Sequence, residues 1–375
     1  MKVLFLTTAH RYNDDRIFYH QAVELVKKGF EVKICSLSSG YKGIIDGIEI
    51  ESYSILEQSA KQKKDILHKI CNDFQPDVII CSEPLAIIAA GKFQKIKKTS
   101  IIYDITEWYP SFRMLQPYSW LLKPFHLIKF FLIQMYAGFL STHFIFGEDS
   151  KKFPLMYLFP FKKNLTQPYY PDDIYIEKNI KQIAKNKITL CCTGRISKED
   201  GIDNFFKAID LVRKRKPDLE ISILIVGAPK RDSDAKHFNQ LLEKYAWENI
   251  SIVKPTSFET FTSSYSEADI CFDLREKNFE YNNSLPIKLF YYAASGKPVI
   301  YTNLKAIREH IDVSEFGYLV EPENSELIAD LIINYTENPS LYDKHAKNAR
   351  ASYEKKYNWN LIKQTFVDFV KQSEK

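Results

Sequence analysis

The sequence predicts an α/β protein made of two doubly wound domains in tandem. Three observations carry this. Apolar strand-like runs alternate with amphipathic helices over residues 1–105. The same rhythm starts afresh after a Pro- and aromatic-rich connection, "FPFKKNLTQPYYPDD". The strand runs are continuously apolar, as expected for parallel strands buried on both faces.

The elements follow in order. "KVLFLTT" reads as a strand, "IFYHQAVELVKKG" as a helix ending at Gly29, and "FEVKICSL" as a strand. Next come the helix "KQKKDILHKICNDFQ", the strand "PDVIICS", the helix "PLAIIAAGKFQKI" and the strand "TSIIYDI". In the second half "ITLCCTG", "EISILIVG", "ISIVK", "DICFDL" and "KPVIYT" are strands. The helices between them are "IDNFFKAIDLVRKRKP", "AKHFNQLLEKYA", "FETFTSSYSEA" and a segment inside "YNNSLPIKLFYYAASGKPVI". In that last segment Ser284 is placed to cap the helix, Pro286 sits in its first turn, and Gly296 ends it.

Bulk properties narrow the function classes. A length of 375 residues suits two domains, and 26% charged residues suit a packed globular chain. A net charge of +5 is too small to argue for nucleic acid as a partner. The six cysteines form no CxxC pair, so the sequence predicts reduced thiols in a cytoplasmic protein and no metal site. The apolar run of the first residues is about five long, shorter than a signal-peptide core. No stretch reaches the roughly 20 apolar residues of a membrane span.

Residues 111–146 contain no Asp or Glu, and "WLLKPFHLIKFFLIQMYAGFL" combines aromatics with Lys123 and Lys129. Two readings fit: an interfacial helix over 117–140 resting on anionic lipid, or a helix buried in the first domain.

In doubly wound sheets ligands bind beyond the carboxyl ends of the strands. Two loops there stand out. "CCTGRISKEDGIDNFFKAI" presents Arg195 between Gly194 and Gly201 at a helix start, a pattern suited to a phosphate clamp. In "SLPIKLFYY", Lys288 lies in a helical first turn, where a cation opposes the helix dipole unless an anion is near.

These segments, about ninety residues apart, resemble the donor half of family-4 glycosyltransferases, the glycosyl transferases group 1 with the GT-B fold. "TTAHRYNDDRIFYHQAVELVKKGFEV", "YDITEWYP" and "YNWNLIKQTFVDFVK" are similar to that family's opening, middle and final segments, so the likeness spans nearly the whole chain. The resemblance implies two Rossmann-like domains facing a cleft: an acceptor-side domain, 1–168, completed by a C-terminal helix, 357–375, and a donor domain, 169–356. It implies a retaining sugar transfer from a nucleotide diphosphate sugar to a glycan or lipid-linked saccharide, in surface polysaccharide assembly. It also implies no metal or further cofactor, and a place at the cytoplasmic face of the membrane. Donor contacts would fall to Arg195, Lys198, Ser284, Leu285, Pro286, Lys288 and Tyr291; catalytic candidates are His10, Asp104 and Glu107. Four positions depart from the family pattern. Asp200 replaces a lysine, Asn283 and Tyr291 replace two glutamates, and Thr106 replaces a histidine. Lys198 or Lys288, Glu276 or Glu280, and His10 are the expected substitutes. Besides an active transferase, the sequence leaves open a non-catalytic relative that binds a glycan or partner, and a nucleotide-sugar epimerase.

Overall fold

Val3, Leu4, Phe5 and Leu6 are all buried because their strand, β1 (Lys2–Thr7), runs through the middle of a sheet covered on both faces. The computed structural model describes residues 1–177 and 179–374. The chain divides into two units, Met1–Tyr169 with Asn360–Lys375, and Tyr170–Trp359.

In the first unit β1 is joined by β2 (Glu31–Ser36), β3 (Ser38–Ile45), β4 (Ile48–Ser54), β5 (Val78–Cys81), β6 (Ser100–Ile105), β7 (His143–Phe146) and β8 (Lys163–Thr166). Their order is β3-β4-β2-β1-β5-β6-β7-β8. All pairings are parallel except β3 against β4. The sequence reading missed this hairpin, whose turn is made by Asp46 and Gly47 at positive φ. It also read the segment after Phe159 as a plain connection, whereas β8 lies within it. The helix Ala60–Phe74 opens with a capping box between Ser59 and Gln62. The C-terminal helix Trp359–Gln372 reaches this sheet, where Ser100 Oγ donates to the Ser373 carbonyl and Lys363 Nζ lies 3.7 Å from Glu24.

The second unit is a six-stranded parallel sheet in the order β11-β10-β9-β12-β13-β14. Its strands are β9 (Lys187–Arg195), β10 (Glu220–Ala228), β11 (Ile250–Val253), β12 (Ile270–Asp273), β13 (Val299–Thr302) and β14 (Gly317–Val320). Neighbouring residues feed opposite cores: Leu190 and Ile225 face one, Cys191 and Val226 the other. The predicted helix "FETFTSSYSEA" is instead two 3-10 turns, Phe258–Thr260 and Ser263–Tyr265. Hydroxyls explain this: Thr260, Ser263 and Ser264 each donate to a carbonyl three residues back, competing with helical bonding.

The helix Lys123–Leu140 corrects the buried alternative. It is apolar along its length, yet its buried residues are Gln134, Ala137 and Gly138. Trp120 (77% exposed), Phe125 (72%) and Phe139 (67%) face outward, where a core helix would hide them. Phe161 and Tyr157 extend this surface: Lys162 donates to the carbonyls of Gly138, Phe139 and Ser141 at the end of the same helix. No described helix is long and apolar enough to cross a membrane.

Candidate active site at the strand ends

In the second unit strand order reverses between β9 and β12, which opens a crevice at their carboxyl ends. Arg195 ends β9 and Asp273 ends β12. Two glycines build the crevice wall. Gly201 starts the helix Ile202–Arg215 at φ +85, and a Cβ there would lie 1.9 Å from the Leu274 carbonyl. A Cβ on Gly227 would lie 1.8 Å from the Gly194 carbonyl, so only glycine lets β10 approach β9 here.

Arg195 donates through Nε to Asp200, and through Nη2 to Glu199 (3.0 Å) and the Tyr281 hydroxyl (3.0 Å). Asp200 also accepts from Ser197 Oγ. Lys288 Nζ lies 2.7 Å from Asp273 Oδ2 and donates to the Thr193 carbonyl at 2.8 Å. The anion that the sequence required beside Lys288 is therefore supplied by the protein. Asp273 also accepts from Arg275 Nε (2.7 Å) and the Tyr301 hydroxyl (2.9 Å). Burial alone would raise the Asp273 pKa, but Arg275 and Lys288 outweigh it and hold the carboxyl well below the ordinary range. Sequence reasoning missed Asp273. The signal was a carboxylate inside the apolar strand "DICFDL", since a buried charge needs partners.

The predicted helix start is corrected in one detail. The helix is Ile287–Ala294, with Pro286 at the capping position and no side-chain cap among the described residues. Ser284 lies two residues too early to cap it. Leu285 packs against the core, and Lys288 remains in the first turn. Tyr291 is 3% exposed and packs between Phe258 and Phe261, with ring centroids 6.2 and 5.7 Å away. Its ring is thus part of the apolar packing rather than an open ligand contact. Lys198 is exposed at the tip of the Arg195 turn.

The first unit has its own reversal point, between β1 and β5. Glu83, just after β5, binds the β1 end: its carboxylate accepts from Thr7 Oγ1 (2.9 Å), Thr8 N (2.9 Å) and Ala9 N (3.1 Å). His10 follows. Its Nδ1 is 2.9 Å from Asp14 Oδ2 and its Nε2 is 3.8 Å from Glu83 Oε1. Burial would lower the imidazolium pKa, but the hydrogen bond and charge of Asp14, with Glu83 and Glu107, raise it to about 9. His10 is therefore a cation at neutral pH, not a base. Asp14 also caps the π-helical turn Asp15–Ala22, accepting from Arg16 N and Ile17 N. Glu107 is exposed. Asp104 is not open to a substrate: both carboxylate oxygens accept from Arg16 at 2.9 Å, and Gln21 donates to one at 2.8 Å. Sequence reasoning missed Glu83, whose signal was a carboxylate placed before Pro84 at a helix start.

Among the described residues no group of three or more His, Cys, Asp or Glu is arranged to hold a metal ion. The free thiols are buried, with Cys192 half-buried.

Two reversal-point clusters on two α/β sheets define a GT-B fold, and comparison with known proteins agrees. Residues 173–352 match the model of the family described as Glycosyl transferases group 1. An uncharacterised glycosyltransferase of Methanocaldococcus jannaschii is 27% identical over 184 residues, 49% of this chain and 45% of that one. The chain thus spans about half the length of that relative. The capsular polysaccharide biosynthesis glycosyltransferase CapM of Staphylococcus aureus is 20% identical over 270 residues, 67% of this chain and 68% of the other. The structure of Anabaena HepE in complex with UDP-glucose superposes with a TM-score of 0.72 over 99% of this chain and 100% of that one, at 13% identity.

Proposed function

We propose that this protein is a glycosyltransferase that moves a sugar, with retention of configuration, from a nucleotide diphosphate sugar to a glycan or lipid-linked saccharide. The observation that carries the reading is the placement of Arg195, Lys288 and a helix start with no side-chain cap among the described residues together at the β9–β12 reversal point. A departing diphosphate gains negative charge, and cations with helix-start N–H groups stabilise it without a metal. The HepE complex supports a nucleotide-sugar donor, and likeness to CapM supports a role in surface polysaccharide assembly. In the first unit the His10 imidazolium is suited to donate a hydrogen bond to a sugar or phosphate oxygen. Incubating the protein with UDP- and GDP-sugars and measuring nucleoside diphosphate release tests this. Release lost in Arg195→Ala supports the reading. Release from neither donor class, with or without a lipid-linked acceptor, would end it.

A second reading is favoured by one observation. Arg195 is already paired with Asp200 and Glu199, which suits binding without turnover. Nucleotide binding with no product formed would select it.

The exposed surface of Trp120, Phe125, Leu132 and Phe161, with Lys123 and Lys129 nearby, supports peripheral contact with anionic lipid at the cytoplasmic membrane face. Co-sedimentation with phosphatidylglycerol vesicles should fall severalfold in Phe125→Glu/Leu132→Glu. Unchanged sedimentation, or equal binding to phosphatidylcholine vesicles, would count against it.

A further inference from the structure

Both cations lining the β9–β12 crevice already have carboxylate partners, but the two pairings differ in kind. Asp273 is completely buried at the end of β12 and ringed by Lys288, Arg275 and Tyr301. It belongs to the sheet. Asp200 sits on the turn between Ser197 and Gly201, closed by Gly201 N to the Lys198 carbonyl (2.9 Å) and Asp200 N to Ser197 Oγ (3.1 Å). Its side chain, and more so that of Glu199, reaches solvent (12% and 35% exposed). Rotating them away breaks no sheet bond. The open space among Thr193, Arg195, Asp200, Leu274 and Lys288 is about 20 Å³, room for about one water.

The two carboxylates and Tyr281 use Nε and Nη2 of Arg195. A phosphate gripping the guanidinium at two points needs Nη2, with Nε side-on or with Nη1 end-on, and so competes with these partners. We propose that Asp200, assisted by Glu199, is a built-in competitor for the anionic group of the ligand. The crevice then exchanges a carboxylate for a phosphate at Arg195 instead of receiving phosphate on an open guanidinium. This rests on the donor-site reading above and adds how the site is restrained. Exchange favours the more highly charged ligand, a diphosphate over a monophosphate, because a monophosphate ester, with a charge of about −1.5 to −2 near pH 7, only replaces the two carboxylate charges of Asp200 and Glu199. The turn is also tied to the Arg275–Tyr281 loop through Glu276 N to the Glu199 carbonyl (2.9 Å).

The opposite role, Asp200 as a positioning residue that aims Arg195, gives the opposite sign. Calorimetric titration of UDP, UMP, GDP and GMP into wild type, Asp200→Asn, Arg195→Ala and the double variant separates them. Asp200→Asn is near-isosteric; should it melt early, Asp200→Ser serves. Competition predicts about tenfold tighter diphosphate binding in Asp200→Asn, a gain of about 1.4 kcal/mol. The gain should be smaller for the monophosphates and absent in the Arg195→Ala background. Unchanged or weaker binding in Asp200→Asn, with wild type binding measurably, would overturn the proposal and leave the donor site standing. A gain that persists without Arg195 would overturn it too, as a general charge effect. No nucleotide binding in any of the four proteins would remove the donor reading itself.

Discussion

Each unit places an arginine–aspartate pair near the carboxyl ends of its strands, and the two pairs do different work. Arg16 and Asp104 are 10% and 1% exposed, bonded at both carboxylate oxygens, and closed in by Gln21 and the Gln167 carbonyl. Arg195 and Asp200 are 17% and 12% exposed, and Asp200 sits on a short turn ending at Gly201. The first pair is framework, because both of its charges are enclosed away from solvent. The second stands where water or a ligand can replace one member. Residue type alone does not separate structure from site. Solvent access and the freedom of the backbone carrying the pair do.

The largest expected effect comes from breaking the buried pair. Asp104→Ala leaves the Arg16 guanidinium uncompensated and should cost about 3–5 kcal/mol. Urea unfolding of the first unit reads this directly. The same change at Asp200 should cost about 1 kcal/mol or less, as for a part-exposed pair. Equal losses at the two positions would break the contrast between framework and site.

A smaller, pH-dependent effect is expected at His10. Its pKa is raised from 6.5 to about 9 in the folded protein. Folding therefore gains most from the imidazolium below about pH 6.5, and that gain is lost as pH rises through about 9. Thermal unfolding measured from pH 6 to pH 10 should show wild type losing stability over that interval. His10→Gln should lose less. A parallel decline in both proteins would place the titration elsewhere.

Much of the fold was legible because buried parallel strands and their covering helices carry strong periodic signals. The β3–β4 hairpin was not, since "SGYKGIIDGIEI" is short and half-polar, and its antiparallel pairing depends on a turn at Asp46–Gly47. The Ser/Thr-rich 258–265 segment misled because its helix-like apolar spacing lost to hydroxyl–carbonyl bonds. At the site, Arg195 and Lys288 were found because glycine and helix-start patterns mark backbone geometry. Glu83 and Asp273 were not: the partners of Glu83 lie 74–76 residues away, and Asp273 joins its neighbour Arg275 to Lys288 and Tyr301, 15 and 28 residues on, which no local pattern names. Asp104 and Tyr291 looked available in sequence but are enclosed by tertiary packing. Asp200 was visible as an acid in a cationic loop, but its grip on Arg195 required the three-dimensional turn.

On the proposed function, the β9–β12 crevice holds a nucleoside diphosphate through Arg195. Titration calorimetry of UDP and GDP into wild type and Arg195→Ala at low salt measures it most directly. At least one of the two nucleotides should bind, and loss of the guanidinium should weaken it about ten- to a hundredfold, the value of a charge-assisted contact. Binding with the same affinity in both proteins, or no binding of either nucleotide to wild type, would contradict the claim.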